Sequence, residues 1–246
     1  MIFIGTSGFQ YPEWRGTFYP EGFPTAKMLH FYASHFTSTE INYTFRRLPG
    51  AKTLARWDAE TPSAFSFSLK APQRITHSAK LRGCEEIVGH FTKTIAALGP
   101  KLGVVLFQLP PFFKKEATVL REFLDILPRG LRAAFEFRHG SWFDEEIYAT
   151  LRAHDVALCV AESETLATPP VFTASFAYFR LRKVDYSDGE LARWAELARG
   201  QRDAFVYFKH EESGTGPSFA RRFAELLPGL NFPRGRAVYG SGQSRA

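Results

Sequence analysis

Glu40 and Glu136 each stand in a short β-type run with a polar residue two positions on, Asn42 and Arg138 respectively. Residues two apart on a strand share a face, so each glutamate points the same way as its polar partner. Two carboxylates whose surroundings push their pKa values apart can act as general acid and general base. Arg138 and other converging cations favour the ionised form of Glu136, which leaves Glu40, with fewer cations near it, as the expected acid. Lys70 ends a third run, on the face of Ser66 and Ser68. There it can polarise a carbonyl, hold a phosphate or, with a depressed pKa, form a Schiff base. Gln108, Arg180 and Lys209 end three further runs, with Tyr178 and Arg182 on the face of Arg180 and Tyr207 on that of Lys209. Arg138, Arg180 and Lys209 outnumber the two carboxylates, which favours an anionic substrate, although Glu162 reduces the imbalance.

The elements that must position these groups are short strands. Eight stretches rich in Phe, Val, Ile or Tyr are bounded by Pro, Gly or charge: 2–7, 38–44, 65–71, 103–109, 132–138, 156–162, 176–182 and 203–209. They recur about every 29 residues, the length of a βα unit. Apolar stripes at helical spacing lie between them, as in Met28, Leu29, Tyr32, Phe36 and in Val119, Leu120, Phe123, Leu124, Leu127. Cys84 opens a further stripe with Ile87, Val88, Phe91 and Ile95, and Phe219, Phe223, Leu226 and Leu227 mark the last helix. Ser141 with Asp144, and Ser187 with Glu190, have the spacing of capping boxes. Only 163–170 is too short and Pro-rich for a helix. The expected fold is α/β: a single TIM-type (β/α)8 barrel over 1–230, eight parallel strands with the helix after strand six weak or missing. A doubly wound sheet fits less well, because no Gly-rich dinucleotide turn is present. Residues 231–246, rich in Gly, Arg and Ser, are expected to form a flexible tail.

In such a barrel the active site lies at the C-terminal strand ends. Charges there cost several kcal/mol unless they are paired or face a ligand. Glu40, Lys70, Gln108, Glu136 and Arg138 are therefore expected to line one cavity. Gly5-Thr6-Ser7-Gly8 can form an anion-binding turn, but it lacks the Lys and spacing of a Walker A loop, and a plain strand-end turn is the favoured reading. Tyr11 and Trp14 follow in a loop that crosses the barrel top, where rings stack a ligand or plug the barrel. His77, His139 and His210 fall just past strands and read as solvated loop histidines. No GxSxG, HExxH, CxxC or EF-hand pattern occurs, so neither a metal nor a cofactor is expected.

Composition limits the rest. The 25 Phe, 9 Tyr and 4 Trp predict an unusually aromatic core, and the net charge of +6 allows attraction to phosphates. Two cysteines, Cys84 and Cys159, fit a reduced compartment and are expected to be unpaired. The start has no basic n-region, and the longest apolar run, 102–113, contains two prolines and is too short to span a bilayer. A cytoplasmic protein without membrane contact is the expectation.

Six motifs occur in order: IGTSGF (4–9), YPEWRGTFYP (11–20), EINYTFRRLP (40–49), KAPQRITH (70–77), LGVVLFQLPP (102–111) and FEFRHGSWF (135–143). Together they resemble the prokaryotic family called domain of unknown function 72, or YecE-like, over about residues 2–227. The resemblance implies a TIM-type barrel of uncharacterised activity. Its pattern residues here are Tyr11, Trp14, Glu40, Asn42, Lys70, Arg74, His77, Gln108, Glu136, Arg138 and Trp142. Arg182-Lys183 after strand seven departs from the family's His-Gly. After strand eight, Lys209-His210-Glu211-Glu212 departs from its Asn-rich turn. The phosphate end of many barrels lies at strands seven and eight, so a different ligand there, or the loss of one, is expected.

Three functions compete. The favoured one is an enzyme with hydrolase-like acid–base chemistry on a small anionic or phosphate-bearing substrate, with Glu40, Glu136 and Lys70 catalytic. Tyr11, Trp14, Asn42, His77, Gln108, Arg138, Arg180 and Lys209 would bind the substrate. A nucleic-acid-directed protein, nuclease-like or binding, is less favoured, because the Lys and Arg are spread without a basic block. A non-catalytic ligand-binding barrel is the third.

Overall fold

The computed structural model describes residues 1–162, 166–209, 214–227, 229 and 232–233. Eight parallel strands follow one another: β1 (Ile2–Thr6), β2 (Ser38–Ile41), β3 (Ser66–Lys70), β4 (Leu102–Gln108), β5 (Ala133–Glu136), β6 (Ala157–Glu162), β7 (Ala177–Leu181) and β8 (Ala204–Phe208). Helices return the chain between them: α1 (Met28–Ala33), α2 (Ala51–Ala59), α3 (Glu85–Ile95), α4 (Ala117–Asp125), α5 (Glu145–Ala153), α6 (Asp188–Arg199) and α7 (Thr215–Glu225). The hydrogen-bonded order is β1-β8-β7-β6-β5-β4-β3-β2, a TIM-type barrel interrupted at one seam. Among the described residues between β6 and β7 no helix forms, in keeping with Pro169 and Pro170.

Strand alternation sorts the apolar residues into two cores. Phe67, Leu69, Val105, Phe107 and Phe135 face the helices and belong to the large outer cluster. Val104, Leu106, Ala134, Cys159, Tyr178, Phe205 and Tyr207 fill the barrel itself. The interior is layered. Phe3 stacks on Phe205 at 4.6 Å, and above that pair Tyr207 shares its hydroxyl with Ser38 at 2.6 Å and Ser68 at 2.8 Å. The buried carboxylates stand one layer higher. Pairing of Gln108 with Glu136 along the β4–β5 ladder sets these two at one level.

The seam between β1 and β2 is closed by single bonds. Gly8 N donates to Glu40 O at 2.7 Å, and Thr37 N to Ile4 O at 3.2 Å. Between them the Tyr32 hydroxyl accepts from Thr6 N at 2.6 Å and donates to Ser38 O at 3.1 Å. Gly5 is obligatory here, because a Cβ at that position would fall 1.8 Å from Ser38 O. The absence of a side chain at Gly5 thus allows the β1 and β2 backbones to approach.

Of the nine residues of helix α2, only Leu54 and Trp57 are buried. One local expectation changes. Helix α5 is capped by Asp144, whose side chain accepts from Ile147 N, while Ser141 sits in a preceding 3-10 turn and accepts from Lys115 N. Ser187 and Glu190 do form the capping box of α6. Cys84 and Cys159 are buried and unpaired. Among the described residues no helix is long and apolar enough to cross a membrane. The expected tail, 231–246, lies outside the described residues except for 232–233, and His210, Glu211 and Glu212 also lie outside them.

Candidate active site at the barrel mouth

Arg180 rises from β7 into the barrel with its side chain 2% exposed. Its two terminal nitrogens are divided between two carboxylates: Nη2 lies 2.7 Å from Glu40 Oε1, and Nη1 lies 2.5 Å from Glu136 Oε2. Glu40 is completed by the Tyr178 hydroxyl at 2.7 Å and by Ser7, whose hydroxyl donates to Oε1. Asn42 Nδ2 in turn donates to Ser7 Oγ at 2.8 Å. Glu136 faces Arg182 Nη2 at 3.2 Å and Arg138 Nε at 4.0 Å.

Burial pushes the Glu136 carboxyl up, but Arg180, Arg182 and hydrogen bonds from Gln108 and Arg180 outweigh it and hold the pKa at about 2. Burial also raises Glu40; Arg180 and the hydrogen bonds from Ser7 and Tyr178 win there too, so its pKa is lowered. Both glutamates are therefore carboxylates at neutral pH. The expectation that Glu40 has fewer cations near it and stays protonated is not met, because one guanidinium serves both.

Lys70 is the cation of the site whose pKa is brought down towards neutrality. Burial, then the Arg180 charge, lowers it to about 8; Glu40 and Glu136 oppose this and Lys209 adds to it. Its Nζ donates to Gln108 Oε1 at 2.7 Å and stands 4.0 Å from the centroid of the Phe45 ring. His77 packs edge-on against the same ring at 5.0 Å. Burial, then Lys70 and Arg138, lower the His77 pKa, which favours the neutral ring.

A recess of about 60 Å³ opens between the ends of β4, β5, β6 and β7, with room for a few waters or a small anion. Pro111, Glu136, Arg138, Ala161, Thr168 and Arg182 are among its walls. Glu40, Lys70 and Gln108 do not line it, so the expected single cavity is instead a recess with a reactive flank. Among the described residues, the Nε atoms of Arg180 and Arg182 are buried with no hydrogen-bond partner. No three His, Cys, Asp or Glu side chains among the described residues converge as a metal ion would need.

The remaining sequence candidates separate. Tyr11 donates its hydroxyl to Ser7 O at 2.8 Å and orders the first loop. Trp14 is 1% exposed and packs against Tyr11, Phe18 and Tyr19 in the outer core, so it offers no face to a ligand. Trp142 is likewise structural, stacked on Phe137 at 4.6 Å with Nε1 donating to Phe113 O at 2.7 Å. Lys209 is fixed by its backbone N–H to Leu181 O at 3.0 Å and lies near enough to Lys70 to affect its charge. Ser7, Tyr178 and Arg182 were not among the site residues expected from the sequence. Tyr178 and Arg182 share the alternating face of Arg180, and Ser7 stands in the glycine-flanked turn, so a signal existed for all three.

Comparison with known proteins gives the same frame. The chain is 31% identical to the UPF0759 protein YunF of Bacillus subtilis, across 92% of this chain and 95% of that one. It is 35% identical to the UPF0759 protein YecE of Escherichia coli over 144 residues, which span 58% of this chain and half the length of that relative. A crystal structure of a DUF72 family protein from Thermotoga maritima superposes with a TM-score of 0.82 at 28% identity, covering 92% of this chain and 99% of the other. A second, from Enterococcus faecalis, superposes at 0.77 with 20% identity, covering 92% and 95%. The family profile described as "Protein of unknown function DUF72" matches residues 3–236, and on that extent the chain belongs to the DUF72 family.

Proposed function

We propose that this barrel is an enzyme that performs acid–base chemistry, most simply hydrolysis, on a small anionic or phosphate-bearing substrate. The observation that carries the reading is the placement of Lys70: its Nζ is held by Gln108 and Phe45 beside a carboxylate–guanidinium brace, with a pKa of about 8. A group whose pKa lies near the working pH can both give and take a proton.

In this reading Arg138 and Arg182 hold the anionic group in the recess they line. Glu136 limits their charge and, through Gln108, sets the position of Lys70. Lys70 delivers a proton to the leaving oxygen or removes one from attacking water. Glu40 and Glu136 remain ionised and act electrostatically, Glu40 by fixing Arg180. The test is turnover of a panel of phosphomonoesters and carboxylate esters by the wild type and by Lys70→Met. Turnover with a bend near pH 8, lost in K70M while inorganic phosphate still binds, supports the reading. Equal turnover by K70M, or no hydrolysis of any panel member, removes it.

A further inference from the structure

Tyr43 and Phe112 are the large aromatic side chains most open to solvent among the described residues, 47% and 66% exposed, and both stand on loops after strands at the C-terminal face. Exposed rings among unpaired cations offer flat faces on which planar groups can stack. Loop residues 42–50 and 71–84, between them, hold Arg46, Arg47, Arg74, Lys80 and Arg82 and no Asp or Glu. Among the described residues Arg46, Arg47 and Arg74 are exposed and form no ion pair.

These loops form one surface. They follow β2, β3 and β4, which are neighbours in the sheet. Phe45 of the first touches His77 of the second at 5.0 Å, and Lys80 of the second lies 5.3 Å from the ring of Phe112 on the third. Arg82 also pairs with Glu116 beyond Phe112. The middle loop is a firm platform. Arg74–Ser78 make a π-turn, Lys80 and Leu81 take left-handed backbone angles, and Leu81 N donates to Ile75 O at 2.9 Å. Such irregular, held backbone is typical of functional sites. The inner end of this surface is Lys70, above Phe45.

We infer that this rim binds single-stranded nucleic acid, with Tyr43 and Phe112 stacking bases and Arg46, Arg47 and Arg74 taking backbone phosphates. Unpaired cations interleaved with exposed rings match a chain that alternates phosphates and flat bases. A duplex offers no free base faces, and polyglutamate offers no flat rings to stack. The inference goes beyond the proposed function and is tested apart from it, since Tyr43, Arg46, Arg47, Arg74 and Phe112 lie outside the lining of the recess.

The test uses the full chain and fluorescence anisotropy with labelled short oligothymidylate and oligouridylate. Competitors are a duplex of equal length and polyglutamate, and inorganic phosphate binding is measured separately. Tyr43→Ala and Phe112→Ala should each weaken oligonucleotide binding by about fivefold or more, and leave phosphate binding unchanged. Arg46→Ala or Arg74→Ala should reduce the salt dependence, log K against log salt, by about 0.7 for each phosphate no longer neutralised. Equal competition by duplex or polyglutamate, or strand binding indifferent to both ring variants, overturns the inference. Phosphate binding without strand binding overturns it and leaves the proposed function standing. Strand binding without phosphate binding removes the recess reading and keeps the rim.

Discussion

Glu40 and Glu136 stand on β2 and β5, three strands apart, and share the guanidinium of Arg180, at 2.7 Å and 2.5 Å. The mouth of the barrel is braced across its width by this one cation. Breaking a buried pair by removing one partner is far more costly than never having built it, because the surviving charge is stranded.

Replacement Arg180→Met should therefore destabilise the fold by about 3–5 kcal/mol, with two carboxylates left buried. Denaturant unfolding measures it. The deficit should shrink as the pH falls and the glutamates protonate. A deficit independent of pH would show that the brace is not electrostatic.

The acid side of the stability profile has a definite sign. The Glu136 pKa falls from 4.5 to about 2 on folding, so its contribution is present above pH 4.5 and is lost as the pH falls towards 2. The shift corresponds to something on the order of 3 kcal/mol. Lowered in the same direction, Glu40 adds to the loss. Glu136→Gln should flatten this limb in an acid titration followed by circular dichroism. An unchanged limb would mean that other carboxylates govern acid unfolding.

At Lys70, chemistry should single out one amine. Trinitrobenzenesulfonate, an anionic reagent, should modify Lys70 with a midpoint near pH 8, as peptide mass mapping would show, against about 10.4 for ordinary lysines. A Lys70 midpoint with the other lysines would contradict the environment described for it.

Across the seam, Tyr32→Phe removes the acceptor for Thr6 N and the donor to Ser38 O. A loss of about 1–3 kcal/mol is expected for leaving a buried amide unpaired. Gly5→Ala should be worse and should impair folding, since the new methyl group would overlap Ser38 O. Thermal melts of both variants check the order; a mild Gly5→Ala would mean that β1 and β2 can separate freely.

The barrel was legible because each strand carries its own alternation. Ser66, Ser68 and Lys70 opposite Phe67 and Leu69 announce an inward polar face without reference to any neighbour. What the alternation cannot carry is who meets whom across the barrel. Arg180 reads as one more cation of an anion site, yet it is shared between the two glutamates, and the cations that line the recess are Arg138 and Arg182. Trp14 does not serve as a ligand platform for the same reason, since a ring in a first loop stacks or plugs according to tertiary packing alone. Helix α2 carries no legible stripe because two buried residues, Leu54 and Trp57, suffice to dock it.

The central claim is that the mouth holds an anion between Arg138 and Arg182. Calorimetric titration of inorganic phosphate into the wild type, the double variant Arg138→Ala/Arg182→Ala, and Glu136→Gln tests it most directly. The account predicts saturable binding at low millimolar phosphate, its loss in the double variant, and equal or tighter binding in Glu136→Gln, where a competing negative charge is gone. No saturable binding by the wild type, or undiminished binding by the double variant, would contradict it.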